Sequence, residues 1–391
     1  MTRNTAGAGL RARSQATFTA AAAALLGVAL VAACSRASTS TDAASGAVSG
    51  AAKQLHAQAT NESPSTFQGP ATPVKPPADV KIAVVTCYSI LHGCVSPADG
   101  IQRAAAALGW HVTVLDGGGT PTQQNAQMLN AVSSGAKVII NIAIDPNSVQ
   151  SGLQAAHRAG VLVGAGSNGL DTPNPVATPA PGKLGYAFDV APNYGALGEK
   201  AAQWIQADSA GKADAAVYSD KEFPSVLALQ AGLLQGLKSC HGCKVEPLQY
   251  FTGTEVTQVL PQSVVSFIRS NPQVNYVFIP YDPAAATVVP AIAQAGLASK
   301  VKVVSVLGDQ QNLGFIRDDR VQVADAAYDN LYMGYAILDQ VARALGHQQL
   351  AKPAGENLPF VMLDRTNLPA PGADWHASFA YIPDFTQLWK G

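Results

Sequence analysis

The sequence contains VIINIAIDP at residues 138–146, and YVFIPYDP at residues 276–283 follows the same plan. Each stretch is an apolar run that ends in an Asp-Pro pair, which favours a buried strand leading into a helix. Strands without polar alternation are typical of parallel sheets that carry helices on both faces. The predicted helices end at Gly160 in the first copy and at Gly296 in the second. The repeat therefore predicts two α/β lobes of similar topology.

More strand and helix signals surround these two stretches. A helix at residues 97–108 is expected to end at Gly109, and Thr120 is expected to cap a helix that begins at Pro121. Further apolar strands are predicted at residues 81–85, 111–115, 161–163 and 301–306. Ligands collect beyond the carboxyl ends of parallel strands, where both Asp-Pro pairs stand. Two such lobes facing each other would enclose a small-molecule cleft.

The first 33 residues have the features of a signal peptide. Three arginines, at positions 3, 11 and 13, precede an apolar run at residues 20–33, and no acidic residue interrupts them. The run ends in VAAC at residues 31–34, which resembles the lipobox of bacterial lipoproteins, whose cysteine becomes the lipidated N-terminus. An ordinary secretory signal with an incidental Cys34, or an uncleaved anchor, is the alternative; the run is shorter than the ~20 residues of a spanning helix. We expect an extracytoplasmic protein held to a bacterial membrane by a lipid on Cys34.

Composition limits the partners and the organisation of the rest. The whole chain has a net charge of −1, and removal of the leader takes away three arginines, so no nucleic-acid partner is expected. Apolar residues make up 48% of the chain, which is ample for a buried core. Residues 34–78 are rich in Ala, Ser, Thr, Gln and Pro and are predicted to form a flexible lipid-anchored tether.

Five short motifs occur in an order that resembles a known family. They are AVVT at 83–86, ADGI at 98–101, IAID at 142–145, FIPYD at 278–282 and LPFVML at 358–363. With these motifs the chain resembles, from about residue 81 to residue 369, a type 1 periplasmic binding protein of the ribose-binding kind. The related cytoplasmic repressors share that fold, but this chain lacks their DNA-binding helices and carries a leader.

The resemblance implies an α/β fold of two Rossmann-like lobes, each a parallel sheet flanked by helices, joined by a three-segment hinge. It places the first lobe at residues 79–166 plus 327–350 and the second at residues 167–326 plus 351–391. The implied protein is a monomer without a cofactor or catalytic activity. It would close over a small neutral ligand and deliver it to the permease and ATPase of an importer.

Ten residues are candidates for ligand contact by their place at strand ends or by the resemblance. Each has a plain structural alternative: the two aspartates of the Asp-Pro pairs also suit helix caps, the histidine suits a solvated loop, and the aromatic residues suit a core. The candidates are Tyr88, His92, Asp145, Ser167, Asn168, Phe223, Tyr281, Asp282, Asp309 and Tyr328.

The resemblance also shows where this chain departs from a sugar site. Ser167 and Asn168 stand where relatives carry an Asp-Arg pair, and Leu227 stands near an expected arginine. Tyr281 replaces an asparagine, and Asp309 is displaced by two positions. A site built for hydroxyls rejects ligands that lack them, because unpaired buried polar groups are costly. A sugar-like or polyol ligand is the preferred expectation, with an aromatic or less hydroxylated metabolite as the alternative.

Four cysteines remain besides Cys34. In an oxidising compartment an even number favours disulfides, here Cys87 with Cys94 and Cys240 with Cys243. A redox CxxC motif stands at a helix start, whereas the CHGC motif at residues 240–243 is predicted to join a helix to a strand. A zinc site would need a second cysteine pair, and the seven histidines are scattered, so no metal is expected.

A glycine motif raises the question of catalysis. Residues 164–169 read GAGSNG, which fits G-x-G-x-x-G after a strand and nearly fits a nucleophile elbow. Both motifs need a following helix, and LDTPNP at residues 170–175 cannot begin one. We expect a flexible inter-lobe turn. For a secreted hydrolase, the sequence shows no Ser, His and acid residues placed together at strand ends. A binding protein that signals to a membrane receptor, instead of serving an importer, remains an alternative.

Overall fold

The computed structural model describes residues 50–170 and 179–391. The described part begins with a helix, α1, over residues 50–60. Beyond it, the chain forms two mainly parallel sheets flanked by helices, which confirms the predicted fold class. No helix in these two ranges combines the length and apolar character needed to cross a bilayer. The leader and Cys34 lie outside the described residues.

The first lobe is built on a five-stranded parallel sheet. Its strands are β1 (Lys81–Thr86), β2 (His111–Asp116), β3 (Val138–Ile142), β4 (Leu162–Gly166) and β5 (Asp189–Val190). They lie in the order β2-β1-β3-β4-β5. The helices α2 (His92–Leu108), α3 (Pro121–Ser133) and α4 (Gln150–Arg158) connect the strands. Strand β3 is buried along its whole length, which explains its unbroken apolar sequence.

The second lobe carries a larger sheet. Its strands are β6 (Asp214–Asp220), β7 (Lys244–Val245), β8 (Gln249–Phe251), β9 (Tyr276–Phe278), β10 (Lys302–Leu307), β11 (Gln322–Tyr328) and β12 (Phe360–Leu363). Six of them follow the order β12-β11-β10-β9-β6-β7, β8 pairs with β6, and β12 is antiparallel to its neighbour. The helices of this stretch are α5 (Tyr194–Asp208), α6 (Pro224–Lys238), α7 (Leu260–Ser270), α8 (Asp282–Gln294) and α9 (Gln310–Arg317).

Three connections join the lobes and form the hinge. Residues 191–193 lead from β5 to α5, and Asp329 leads from β11 to helix α10 (Asn330–Leu345). Helix α10 packs against α2 of the first lobe, and residues 346–359 bring the chain back to β12 of the second. The chain thus crosses between the sheets three times, as the resemblance implies.

The first crossing lies later than the predicted boundary at residue 167. Strand β5 pairs in parallel with β4, so residues 179–190 return to the first lobe before the chain leaves it. The last helix, α11 (Tyr381–Leu388), is also displaced from the predicted scheme, because it packs on α10 and Trp389 Nε1 donates to Asp339 at 2.9 Å. The segment after β4 has too few apolar residues to mark a strand, which explains the early boundary.

Residues 50–78 are packed rather than a flexible tether. Ala59 and Val74 are buried, and Ser63 exchanges backbone hydrogen bonds with Phe360 of β12. Two cationic side chains satisfy exposed carbonyls of this segment: Lys200 Nζ donates to the carbonyl of Asn61 at 2.8 Å, and Arg343 Nη2 donates to that of Thr72 at 2.9 Å. The low apolar content of the segment predicts a flexible tether. Most of its contacts are made by backbone carbonyls, which the side-chain composition does not reveal. The rest of the predicted tether, residues 34–49, lies outside the described residues.

The local sequence signals for the start of α3 and the end of α2 are confirmed. Thr120 accepts a hydrogen bond from the backbone amide of Gln123, and Gly109 ends α2 in the left-handed conformation at a φ of 66°. Helix α2 begins earlier than predicted, at His92, so Pro97 lies within it and His92 belongs to its first turn rather than to a loop.

Candidate functional site

A cavity of about 60 Å³ lies between the lobes, where the carboxyl ends of their strands meet. The first lobe contributes the segments that follow β1, β3 and β4, and the second contributes the segments that follow β6 and β9 and the last residues of β10. Two hinge-side tyrosines, Tyr194 and Tyr328, complete the wall. The site therefore lies at the position that parallel sheets offer to ligands.

The lining of the cavity is mainly apolar. Among its described lining residues none carries a charged, amide or imidazole side chain. The polar side-chain groups are the hydroxyls of Ser167, Ser225 and three tyrosines. The apolar surface comes chiefly from Leu91, Ala143, Phe223, Val226, Leu229, Pro280, Val306 and Leu307.

The tyrosines in the wall are neutral. Burial raises the pKa of Tyr194 and of Tyr281 well above the usual value of 10.0, and burial also raises the pKa of Tyr328. Tyr194 donates its hydroxyl proton to the oxygen of Tyr328 across 3.5 Å. The hydroxyl proton of Tyr328 is therefore available to a ligand, and the cavity carries no net charge of its own.

Tyr281 is held from three directions. Its ring lies 6.1 Å from Phe223 and 5.6 Å from Phe251 between centroids, and its hydroxyl donates to Asp220 Oδ2 at 2.9 Å. Burial raises the pKa of Asp220 to about 7. A rigid aromatic wall of this kind can contact a ligand without losing much conformational entropy.

Both predicted disulfides are present in the structure. One joins Cys87 to Cys94 and the other joins Cys240 to Cys243. Cys87 and Cys94 line the cavity, so the first bridge fixes the turn between β1 and α2 at the edge of the site. The second bridge lies far along the chain between α6 and β7, away from the cavity lining.

An ion pair connects the two lobes beside the cavity. His92 Nδ1 in the first turn of α2 lies 2.5 Å from Asp309 Oδ1, which precedes α9 in the second lobe. The hydrogen bond to Asp309 raises the pKa of His92 above 6.5, against the lowering effect of burial. Protonated His92 therefore favours contact between the lobes.

Asp282 lies behind the site instead of in it. Its side chain is fully buried, accepts a hydrogen bond from Ser305 Oγ, and accepts another from the backbone amide of Asp309 at 2.7 Å. Burial, with Asp325 as a neighbouring charge, raises the pKa of Asp282 well above its usual value. The predicted cap role is not observed, because the side chain makes no cap hydrogen bond to α8. Asp282 instead positions the loop that carries Asp309.

The remaining candidates occupy other places. Asp145 accepts from the amide of Asn147 at 2.9 Å and caps a short 3₁₀ turn at Pro146–Ser148, as its structural alternative predicted. Asn168 is buried and donates to Asp189 Oδ1 at 3.2 Å. Tyr88 packs beside Gly119. Ligand contact by these three stays a prediction, since they are outside the cavity lining.

The glycine motif has a packing explanation. A Cβ on Gly164 would lie 2.3 Å from the ring of Phe188, and one on Gly166 would lie 2.9 Å from Ile337. The close approach of neighbouring side chains therefore favours glycine there. The predicted inter-lobe turn is wrong, because the chain returns to the same sheet at β5. Residues 171–178 are outside the described part.

A family comparison decides the class of protein. The periplasmic binding protein domain family matches residues 82–349, which include both sheets except β12 and Lys81, the first residue of β1. The chain belongs to this periplasmic binding protein family. Members of the family are solute-binding proteins, work outside the cytoplasm and serve importer permeases. A search of curated proteins found no match.

Solved structures of binding proteins share the fold. A Caulobacter myo-inositol binding protein has 20% identity and a TM-score of 0.61, covering 75% of this chain and 96% of its own. A solute-binding protein from Mycobacterium smegmatis with bound glycerol has 20% identity and a TM-score of 0.63, with 77% and 100% covered. One from Agrobacterium vitis with bound allitol has 16% identity and a TM-score of 0.65, with 74% and 97% covered.

Four of the ten candidates of this binding protein line the cavity: Ser167, Phe223, Tyr281 and Tyr328. Tyr194, Leu229 and Ser225 also line the cavity, although the sequence does not single them out. The predicted lobe boundary at residue 167 lies before the true first crossing, so it gives no sign that Tyr194 stands beside the hinge. Leu229 stands one helical turn after Ser225 on α6, so helical spacing from the start of that helix could have found it.

Proposed function

We propose that the protein captures one small neutral solute in the cavity between its lobes and delivers it to an ATP-driven importer. The observation that carries this proposal is the cavity itself, which both lobes and the hinge line at the carboxyl ends of the strands. Open lobes would admit the solute, and contacts from both lobes would stabilise the closed form.

Sugars and polyols are the first solutes to test, because solved relatives with the same fold hold myo-inositol, glycerol and allitol. Small aromatic and less hydroxylated metabolites come next, because the cavity wall is mainly apolar. Delivery to an importer and sensing by a membrane receptor would use the same cavity. A permease and an ATPase encoded beside this protein would favour import.

The proposal places the protein outside the cytoplasm as a monomer anchored by a lipid on Cys34. The basic leader and the VAAC ending support the anchor, and two disulfides suit an oxidising compartment. Catalysis is not part of the proposal. The described residues that line the cavity include two serines but no histidine and no carboxylate, so the lining does not support a hydrolase.

A thermal-shift screen of monosaccharides, polyols, nucleosides and small aromatic compounds tests the proposal. A bound solute should stabilise the folded protein by about 2.7 kcal/mol at one hundred times its dissociation constant. Val226→Trp fills the cavity and should abolish the shift, because Val226 is a buried lining residue. Val245→Trp, on the exposed strand β7, should leave it unchanged. A shift that survives in Val226→Trp would place the ligand elsewhere and refute the proposal.

A further inference from the structure

We propose that the cavity selects small neutral solutes with a mainly apolar body and one or two hydrogen-bonding groups over fully hydroxylated sugars and polyols. This inference rests on the proposed function, because it narrows the class of solute that the same cavity holds. Its basis is the number of free polar groups in the wall and the chemistry of the remaining surface.

Most hydroxyl groups of the wall already donate their protons to protein partners. Tyr281 donates to Asp220 at 2.9 Å, Tyr194 donates to Tyr328, and Ser167 Oγ lies 3.3 Å from Met333 Sδ. The hydroxyl of Tyr328 keeps its own proton. Within the described part of the chain the Ser225 hydroxyl forms no hydrogen bond, so it is the second free group. The side chains of the wall therefore offer a ligand two uncommitted hydroxyl protons, those of Tyr328 and Ser225.

The charged groups nearby are turned away from the cavity. Asp282 and Asp325 share a buried network with Ser305, and Asp189 accepts from Asn168. Asp309 is paired with His92. These four carboxylates thus have protein partners, and none of them is in the cavity lining.

The remaining wall suits an apolar body. Phe223 is packed edge-on against Tyr281, with Leu91 of the first lobe and Leu229 of the second also facing the cavity. The cavity volume of about 60 Å³ further favours a compact solute. A sugar hydroxyl that found no partner here would be buried unpaired, and a hydrophobic site discriminates against one added hydroxyl by roughly 10²-fold.

Two compounds of equal ring size separate the alternatives. Cyclohexanol has one hydroxyl on a six-membered carbon ring, whereas myo-inositol has one on each carbon. Titration calorimetry on the chain without its leader, with cyclohexanol, phenol, myo-inositol and glucose, should give affinities at least 10²-fold higher for the first two. The measured quantity is the ratio of dissociation constants.

Two variants and a control connect that ratio to the wall. Tyr328→Phe should weaken cyclohexanol binding by about tenfold, because it removes one hydrogen-bond donor. Val226→Thr keeps the side-chain volume but adds a hydroxyl, so it should reduce the ratio of the dissociation constant of myo-inositol to that of cyclohexanol. Val245→Thr, which is exposed and outside the cavity, should change neither result. A circular dichroism melt shows that each variant is folded.

The outcomes separate this inference from the proposed function. Preference for cyclohexanol or phenol, reduced in Tyr328→Phe, supports the inference. Equal or tighter binding of myo-inositol or glucose, lost in Val226→Trp, overturns the inference and leaves the proposed function standing. No binding of any compound of either set, in the calorimeter or in the thermal-shift screen, contradicts both.

Discussion

The carboxyl group of Asp220 lies under the hydroxyl of Tyr281, and burial raises its pKa from 3.8 to about 7. A raised pKa means that the folded state prefers the neutral acid, so this group lowers stability as pH rises from about 4 to about 7. Asp220→Asn removes the ionisable group but keeps an oxygen that can accept from Tyr281. We expect its melting temperature to exceed that of the native protein above pH 7, and the two curves to converge in acid.

A pH series of melting curves checks this expectation. Asp319→Asn serves as a control, because Asp319 is an exposed acid whose side chain is 73% accessible. If Asp220→Asn follows the native pH profile throughout, burial does not hold the proton on Asp220 and the account of this pair fails.

The His92–Asp309 pair also makes stability fall as pH rises, but here the protonated, charged form of the side chain is the one that stabilises the fold. The bond to Asp309 raises the pKa of His92 above 6.5, with further support from the charges of Asp374 and Asp99. Its contribution to the closed state is complete below pH 6.5 and is lost as pH rises through the raised pKa. His92→Gln should therefore lower the melting temperature in acid and lose that effect in alkaline solution.

His157→Gln is the matched control for His92→Gln, since His157 is exposed in the last turn of α4. Melting curves from acid to alkaline pH measure both variants. An effect of His92→Gln that grows with pH would contradict the ion pair.

At the residue scale, the candidates Ser167 and Tyr281 line the cavity, while their contact with a ligand stays a prediction. Sequence reasoning is weaker for side-chain direction. It failed for Asp282, because sequence reveals the strand end but not the fully buried hydrogen bonds to Ser305 and Asp309 that turn the carboxylate away. The direction of a side chain depends on partners far along the chain.

Helices α5 and α6 pack through glycine, and this contact positions one wall of the cavity. A Cβ on Gly232 of α6 would lie 1.9 Å from the carbonyl oxygen of Gly195 on α5. Gly232→Ala must push the helices apart, at a cost of about 1–3 kcal/mol in stability. It should also weaken ligand binding, because Val226 and Leu229 belong to α6.

Gly314→Ala in α9 is the control for the glycine contact, since no atom lies within 4 Å of the added Cβ. It should stabilise the protein by about 0.4–1 kcal/mol through the unfolded state. Urea unfolding measures both variants. Equal stability of Gly232→Ala and Gly314→Ala would show that the α5–α6 contact is not tight.

The two disulfides are expected to differ in their effect on binding. The Cys87–Cys94 bridge lines the cavity, whereas the Cys240–Cys243 bridge does not. Each closes a short loop, so loss of either should cost about 2 kcal/mol or less of stability. Replacing Cys87 and Cys94 by serine should weaken ligand binding beyond that loss, and the same change at Cys240 and Cys243 should leave affinity unchanged.

Mass spectrometry before and after reduction first shows that the bridges form. Free alkylation of all four cysteines without reductant would refute the disulfides. Equal affinity of the two serine variants would refute the proposed role of the Cys87–Cys94 bridge at the site.

Most elements of the fold could be predicted because their signals are local. The buried strands β1 and β3, the Thr120 cap and the end of α2 at Gly109 all follow from short patterns. Strand β5 was missed because two residues are too short for any pattern. The packing of residues 50–78 was missed because its hydrogen bonds come from the distant side chains Lys200 and Arg343.

At the scale of the whole molecule, the three-segment hinge follows from the resemblance. The position of its first crossing, at residues 191–193, follows only from the pairing of β5 with β4 in the structure. We propose that the lobes separate at this hinge, and that the His92–Asp309 pair and the wall of the cavity hold them together when closed. The central claim is that a solute binds between the lobes and favours this closed form.

Small-angle X-ray scattering with and without solute tests that claim most directly. The chain without its leader is measured alone and with each compound that raises its melting temperature. We predict that the radius of gyration falls on binding to the value calculated from the structure, and that Val226→Trp shows no such fall. A bound compound that leaves the radius unchanged, or an equal fall in Val226→Trp, would contradict closure over a solute in this cavity.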